Sequence, residues 1–357
     1  MENLHLFVDS CRRTAALNPL GAEVLDKVVV RHVVNGLRLA EHRDHHPDPA
    51  VTPGVAAAVT GLPRTGTTLV HKLLALDPAA RVVRLWEALS PVPRSSSDVA
   101  ARSERIAAAQ SWLDRYLELV PEMRTIHSLS ADGPEECDAL LQNAFASQHL
   151  DDMFYARDYS QWLYSADLTE EYAGHALQLR VLESSDDGGD RPWMLKSPSH
   201  LAHLGALTTT YPGAVIVHCH RDPAEAVASW ASLVSAVRRP YTHELSPRVV
   251  GAQCLQRAEV ATERALSVRG TRGDERFVDV AYRALLDDPV AVVAEIYERM
   301  GRSLSAEVEG RMRAWLERNP QHKHGRHRYD PSHFGVDDAK VREALADHRD
   351  RFAWALI

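Results

Sequence analysis

The stretch TGLPRTGTTLVHKLLALDP, residues 60–78, joins a short apolar run to an amphipathic segment through a glycine-containing loop. A nucleotide-binding P-loop has the pattern G-x-x-x-x-G-K-[ST], in which backbone N–H groups surround phosphates and the lysine reaches the terminal phosphates. Gly61 and Gly66 have this spacing, but Thr67 occupies the lysine position and Arg64 lies inside the loop. The loop therefore predicts an anion site in which an arginine takes the place of the usual lysine.

Apolar runs alternate with amphipathic segments on both sides of this loop. The strand candidates lie at 55–61, 191–198, 213–223 and 276–289. The segment after the loop predicts a helix that ends before Pro78, and further helix candidates lie at 19–43, 97–120, 133–150, 168–183, 200–211, 223–237 and 290–300. Strands that alternate with helices predict an α/β fold with a mostly parallel sheet flanked by helices.

We predict a single domain over residues 1–357. It comprises an N-terminal helical segment (1–50), an α/β core (51–336) and a C-terminal helix (337–357), and the core carries a helical insertion (97–183). With 45% hydrophobic residues, a chain of this length is able to bury a large core.

The composition excludes several classes of protein. A net charge of -8 disfavours nonspecific nucleic-acid binding, so an anion site requires a local concentration of basic residues. The four cysteines are scattered without a C-x-x-C pair, which disfavours a zinc site and a disulfide framework and fits a reducing compartment. The first residues lack a signal-peptide pattern, and no apolar run approaches the length of a membrane span. We therefore expect a cytoplasmic protein without stable membrane insertion.

The chemistry should lie where strands end, because ligands of open α/β sheets bind at the carboxyl ends of the strands. The helix N-terminus after Gly66 favours an anion, and Arg64 offers a planar fork that fits phosphate or sulfate oxygens. Magnesium-dependent phosphoryl transfer uses a loop lysine and an aspartate at the end of an apolar strand. The third strand candidate instead ends in His220-Arg221, and Asp222 comes only after the arginine. A sulfuryl group carries less charge and needs no metal.

Three segments carry a family resemblance: GLPRTGTTLVHKLLALDP, WMLKSPSHL and HCHRDPAEAVASWASL, in this order. Together they resemble the sulfotransferases that use 3′-phosphoadenosine 5′-phosphosulfate (PAPS) and have a P-loop-NTPase-like fold. The chain is most similar to a large bacterial group with a Pro-Arg-[Ser/Thr]-Gly-Thr-Thr loop, which is more distantly related to tyrosylprotein sulfotransferases. The resemblance spans about residues 55–336 and implies transfer of a sulfuryl group from PAPS to an acceptor, without a metal ion.

The resemblance also implies roles for the loop residues. The segment that surrounds the 5′-phosphosulfate in the family corresponds to Arg64, Thr65, Gly66, Thr67 and Thr68.

Four further residues match the family's donor site. Arg221 and Ser229 match the pair that binds the 3′-phosphate, and Tyr282 matches an aromatic residue near the adenine. Lys196 matches a lysine that contacts the bridging or leaving oxygens, where a cation stabilises charge that develops on the leaving group.

The general base has three candidates, because the acceptor hydroxyl must lose its proton as the new sulfur–oxygen bond forms. Glu87 matches a glutamate that tyrosylprotein and some bacterial members carry shortly after the P-loop helix. His200 lies near the position of the histidine that cytosolic members use, and His127 is the third candidate.

A basic loop late in the chain, RNPQHKHGRHRYDPSHFG (318–335), resembles the family's loop that closes over the 3′-phosphate. Lys323, Gly325 and Arg326 are its predicted contacts. Its histidines match no common zinc pattern, so we expect no metal site there. A solvated basic loop is the alternative interpretation.

The acceptor class is a small molecule, a lipid or a glycan, as the resemblance implies, and no nucleic-acid partner is expected. Two other functions stay open at this point. One is a metal-dependent P-loop kinase that acts on a small molecule, and the other is a nucleotide-binding protein without catalytic activity.

Overall fold

A computed structural model describes residues 2–45, 52–92, 99–127, 129–184, 191–320 and 329–356. The contacts within the chain divide it into two compact units. Unit 1 comprises Met1–Pro53, Val83–Asp190 and Val234–Leu245, and unit 2 comprises Gly54–Val82, Arg191–Leu233 and Ser246–Ile357. The single sulfotransferase-like domain stays a prediction.

The described strands, in chain order, are β1 (Val55–Gly61), β2 (Trp193–Lys196), β3 (Val215–His220) and β4 (Phe277–Ala281). The described α-helices are α1 (Glu2–Thr14), α2 (Pro19–His45), α3 (Thr67–Leu74), α4 (Leu85–Leu89), α5 (Val99–Leu119), α6 (Met123–Ile126), α7 (Asp138–Leu141), α8 (Gln148–Met153), α9 (Arg157–Ser165), α10 (Thr169–Ser184), α11 (Leu204–Thr210), α12 (Pro223–Arg238), α13 (Pro247–Arg272), α14 (Tyr282–Asp287), α15 (Pro289–Arg299), α16 (Ala306–Arg318), α17 (Asp338–Ala344) and α18 (Ala346–Arg351). Among these helices, none combines the length and the apolar composition that crossing a membrane requires.

The four strands form one parallel sheet in the order β2-β1-β3-β4. Val59 pairs with Lys196 of β2, and Gly61 pairs with Cys219 of β3. All four carboxyl ends therefore lie along one edge of the sheet, and α3 begins beside that edge. The predicted α/β fold with a mostly parallel sheet is confirmed.

One face of the sheet carries the apolar core of unit 2. Because side chains of a strand alternate between the two faces, every second residue of the strands points to this core. It contains, among others, Val59, Val217 and Val280 of the strands, Leu73 of α3 and Ile296 of α15. Each of these side chains is at most 3% exposed.

The long helix α13 belongs to unit 2 and was not predicted from the sequence. Its buried residues have helical spacing, but many of them are small or polar, such as Cys254, Ala258, Thr262 and Arg269. A periodicity built from small and polar residues gives a weak hydrophobic signal, which is why sequence patterning missed it.

The single helix predicted at 133–150 is wrong. The structure has α7, a short 3-10 helix (Gln142–Ala144) and α8 in this region of unit 1. Phe145 has a φ of 52°, and Ser147 caps α8 by accepting a hydrogen bond from the backbone N of His149 at 3.1 Å. The C-terminal helix predicted at 337–357 is likewise divided, into α17, α18 and a 3-10 helix (Ala353–Ala355).

Candidate active site

The loop between β1 and α3 requires glycine at both ends. Gly61 has a φ of 147° and Gly66 a φ of 98°, a region that residues with a Cβ rarely adopt. A Cβ on Gly61 would lie 2.4 Å from the backbone oxygen of Cys219, and a Cβ on Gly66 would lie 2.7 Å from Cδ1 of Leu285. The two ends of the loop therefore pack so closely against neighbouring backbone and side chains that only glycine fits there.

Helix α3 begins directly after this loop. Its first residue is Thr67, and Gly66 provides no side-chain cap. Thr65 is buried and its Oγ1 donates to the backbone oxygen of Leu62 at 2.7 Å, so this hydroxyl holds the loop together. The first N–H groups of a helix have no acceptor within the helix, and its dipole attracts negative charge. This end of α3 is therefore suited to bind an anion.

Arg64 connects the loop to two other elements of unit 2. Its Nε donates to Oγ of Ser229 in α12 at 3.2 Å, and its backbone oxygen accepts a hydrogen bond from Nη1 of Arg221 at 3.1 Å. Arg64 has a φ of 75°, which is uncommon for a residue with a side chain. The structure thus brings three of the predicted donor-binding residues into direct contact.

Arg221 follows the end of β3 and also contacts Tyr282, the first residue of α14. The centre of its guanidinium lies 4.4 Å from the centroid of the Tyr282 ring, a cation–π contact. Nη2 of Arg221 lies 2.7 Å from Oε2 of Glu225, in the first turn of α12. The ring of Tyr282 also lies beside Gly66, 3.2 Å from where a Cβ would be. Arg221 therefore lies between the end of β3 and the start of α14.

Lys196 is the last residue of β2 and is only 2% exposed. It pairs in register with Val59, two residues before Gly61, and the backbone N of Ser197 donates to the oxygen of Val59 at 3.1 Å. Lys196 thus lies at the same sheet edge as the loop. This is the edge at which ligands bind in open α/β sheets.

The three candidate bases lie in different surroundings. His200 is fully buried in a 3-10 helix (Pro198–His203) of unit 2. Glu87 belongs to unit 1 and is 7% exposed, and its Oε2 accepts a hydrogen bond from the backbone N of Arg84 at 2.8 Å, in the first turn of α4. His127, also in unit 1, follows the end of α6. The choice among them stays a prediction.

Lys323, Gly325 and Arg326 lie outside the described residues. Just after them, Oη of Tyr329 donates to the backbone oxygen of Glu225 at 3.3 Å. The described end of the basic segment thus contacts the first turn of α12, where the Arg221 side chain is also held.

Sequence patterning missed a polar cluster on the other face of the sheet. His218 and His220 of β3 lie on the same face, and Nε2 of His220 hydrogen-bonds Oδ1 of Asp279 in β4 at 2.8 Å. Arg269 of α13 donates to both oxygens of Asp279, at 2.6 and 2.7 Å. His348 of α18 completes the cluster, with its ring centroid 5.5 Å from that of His220. The i, i+2 spacing of the two strand histidines was the signal available in the sequence.

The cluster resembles a metal site in one respect, because ligand atoms of His218, His220 and Asp279 lie within 4.8 Å of one another. Both oxygens of Asp279, however, already accept hydrogen bonds from Arg269, and a buried guanidinium repels a second cation. Burial is the largest cause that lowers the pKa of His218 and His348, the latter to about 3. The histidines therefore fit neutral hydrogen-bonding groups beside the Arg269–Asp279 ion pair better than metal ligands.

Replacement of Arg64 tests the left-handed loop conformation. We expect Arg64→Gly to be more stable than Arg64→Ala by about 1 kcal/mol, because both variants remove the guanidinium but only glycine adopts a positive φ without strain. Chemical denaturation measures the free energy of unfolding of both. At Lys72, inside α3, the order should reverse, with alanine more stable than glycine by about 1 kcal/mol. Equal stability of the two Arg64 variants would contradict a strained Arg64.

The buried histidines predict a pH-dependent stability. Below about pH 6.5 the unfolded chain protonates His348, whereas the folded protein does not until about pH 3. The free energy of unfolding should therefore fall as the pH drops through this window, and His348 contributes up to about 1.4 kcal/mol per pH unit. In denaturation between pH 7 and 4.5, His348→Leu should make this dependence shallower. Equal slopes for the wild type and His348→Leu would refute the prediction.

Comparisons with known proteins identify the family of the chain. The Sulfotransferase family model matches residues 57–306. The structure is similar to the sulfotransferase STF9 from Mycobacterium avium, with 29% identity, a TM-score of 0.85, and 98% of this chain and 90% of that chain covered. It is also similar to the sulfotransferase STF1 from Mycobacterium tuberculosis H37Rv, with 28% identity, a TM-score of 0.82, and coverage of 97% and 91%. No curated protein sequence matches. The chain has the fold of these sulfotransferases and belongs to the Sulfotransferase family.

Proposed function

We propose that the protein transfers the sulfuryl group of PAPS to an acceptor hydroxyl of a small molecule, a lipid or a glycan, and releases adenosine 3′,5′-bisphosphate. The observation that carries the proposal is the contact of Arg64 with both Arg221 and Ser229, beside a P-loop-like turn that lacks the lysine. Family membership and the two mycobacterial structures support sulfotransferase activity. The donor and the acceptor class belong to the proposal.

The arrangement of cations favours PAPS over ATP as the donor. In unit 2, Arg221 leaves the end of β3 and lies beside the loop, and Ser229 presents its hydroxyl to Arg64 from α12. A guanidinium binds phosphate oxygens as it binds a carboxylate, and Arg221, whose Nε and Nη2 both donate to Oε2 of Glu225, is our candidate ligand of a phosphate separate from the chain of 5′-phosphates. PAPS carries such a phosphate on its 3′-oxygen, whereas ATP does not.

Each group then has a defined part in the transfer. The start of α3 and the threonines Thr67 and Thr68 bind the 5′-phosphosulfate. The acceptor oxygen attacks the sulfur, the bond between sulfur and the bridging oxygen breaks, and the electron pair stays on the 5′-phosphate. Lys196 stabilises the charge that develops there. The acceptor proton passes to the general base, for which Glu87 is our first candidate and His200 and His127 are the others.

A thermal-shift titration with adenosine 3′,5′-bisphosphate, adenosine 5′-monophosphate and Mg-ATP tests the donor. A ligand that binds only the folded state raises the melting temperature by mass action. We expect Arg221→Ala to weaken bisphosphate binding about ten- to a hundredfold, because charge-assisted hydrogen bonds contribute about 1.5–3 kcal/mol. Binding of the 5′-monophosphate should change little.

Arg283→Ala is the matched control, since Arg283 is 73% exposed and its partner is Asp287, at 3.6 Å. This variant should bind all ligands as the wild type does. Stabilisation of the wild type by Mg-ATP but not by the bisphosphate would favour the P-loop kinase and overturn the proposed donor. An equal loss of affinity for the bisphosphate and the monophosphate in Arg221→Ala would overturn the role of Arg221 as the ligand of the 3′-phosphate.

Glu87→Gln tests the general base. The variant should lower turnover by about 10²- to 10⁴-fold, the range for loss of a general base, while donor affinity stays nearly unchanged. Turnover is measured as bisphosphate release from PAPS with the best acceptor from a screen of hydroxylated compounds. Glu118→Gln, an exposed change in α5, is the control. If Glu87→Gln keeps its turnover, the base is one of the histidines, and His200→Gln and His127→Gln distinguish them.

A further inference from the structure

The position of Arg221 depends on how the end of β3 is held. His220 is the last residue of β3, and Arg221 follows it directly. The side chain of His220 is fully buried, and its Nε2 hydrogen-bonds Oδ1 of Asp279 at 2.8 Å. A movement of His220 would therefore displace the backbone from which the Arg221 side chain extends.

Asp279 is itself fixed by a second interaction. Arg269 donates to both carboxylate oxygens, a bidentate geometry that restrains the direction as well as the position of the group. Burial alone would raise the pKa of Asp279, but hydrogen bonds from Arg269 and His220 lower it to about 2. A carboxylate is only an acceptor, so the bonded Nε2 of His220 carries the proton.

The same carboxylate connects the two strand ends that supply donor-site residues. Asp279 pairs in register with His218 of β3, and it lies three positions before Tyr282 in β4 and α14. The guanidinium of Arg221 lies over the Tyr282 ring. The backbones of β3 and β4 pair as far as His220 and Ala281, and the hydrogen bond from His220 to Asp279 adds a side-chain link between the strand that Arg221 follows and the strand that leads to Tyr282.

We propose that His220 is a positioning residue for donor binding: its hydrogen bond to Asp279 holds the end of β3 so that Arg221 meets the 3′-phosphate. This inference rests on the proposed function, because it needs a donor with a 3′-phosphate. His220 itself does not contact the donor. It acts on affinity through Arg221 alone.

A metal ion is the competing interpretation of the cluster. Nδ1 of His220, Nε2 of His218 and Nδ1 of His348 are buried and have no hydrogen-bond partner among the described residues. Nη1 of Arg269 lies 3.3 Å from Nδ1 of His218, so a cation at this cluster would face a buried guanidinium. A donated hydrogen bond at that nitrogen also places the proton of a neutral His218 on Nε2, where it blocks metal coordination.

The experiment measures the dissociation constant of adenosine 5′-monophosphate divided by that of adenosine 3′,5′-bisphosphate, a ratio that reports the 3′-phosphate contact. His220→Leu should lower this ratio about tenfold, the effect of about one hydrogen bond. His220→Gln should keep the ratio within about twofold, because its amide N–H replaces Nε2. In turnover, His220→Leu should raise KM for PAPS and leave kcat nearly unchanged.

His348→Leu is the matched control, since His348 is 4% exposed in the same cluster but is not adjacent to Arg221. It should change the melting temperature without changing the ratio. If His220→Leu does not fold, His220→Asn replaces it as the test variant. The asparagine amide is too short to reach Asp279, so His220→Asn should lower the ratio as much as His220→Leu. Isothermal titration calorimetry gives both constants, and the unliganded melting temperature reports stability separately.

The outcomes separate the two proposals. A wild-type protein that binds both adenosine ligands equally would overturn the proposed donor, and the positioning role with it. A wild-type preference for the bisphosphate that persists in His220→Leu or His220→Asn would overturn the positioning role alone. An equal fall of the ratio in His348→Leu would also overturn the positioning role. So would a rise in the melting temperature with Zn²⁺ alone that occurs in the wild type but not in His220→Leu.

Discussion

The close approach of the loop between β1 and α3 to its neighbours is the constraint on which the candidate site depends. Gly61 lies against the backbone of Cys219, and Gly66 lies against Leu285 and the ring of Tyr282. Neither position has space for a Cβ, so the loop occupies one place relative to the ends of β3 and β4. Arg221, which follows β3, consequently meets the loop backbone at a hydrogen-bonding distance. The positive φ of Arg64 costs free energy, and the contacts of the loop with its neighbours have to offset this cost.

An anion site in a chain with a net charge of -8 has to be built locally, and the candidate site in unit 2 brings a few fixed cations together. Arg221 is held by Glu225 and by the Tyr282 ring, and Lys196 is buried at the end of β2. Fixed cations and helix N–H groups need little reorganisation when an anion arrives, and the low dielectric of a buried site strengthens them. Under the proposed function the transferred group is a sulfuryl group, which carries less charge than a phosphoryl group. A smaller charge to neutralise would account for a loop in which Thr67 replaces the lysine.

The sequence predicts the parts of the structure that depend on local pattern. The strand at 55–61, the loop glycines and the helix from Pro223 follow from apolar runs, glycine spacing and proline at a first turn. The long helix α13 was missed because many of the side chains that it buries are small or polar. The prediction of one helix over 133–150 was wrong, since Phe145 takes a positive φ that interrupts the helical pattern. Contacts such as that of His220 with Asp279 depend on strand register, which no single segment encodes.

The strand β3 serves two purposes because its side chains alternate between two environments. Val217 and Cys219 point to the apolar core, while His218 and His220 point to the polar cluster around Asp279. Burying imidazoles that keep unpartnered nitrogens costs free energy, and apolar side chains would pack there without that cost. A buried polar network stabilises less than an apolar core, but its directional hydrogen bonds restrain the geometry more tightly. The cluster lies beside the end of β3, which Arg221 follows, and under the proposed function restrained geometry at this point matters more for binding a phosphate than added stability does.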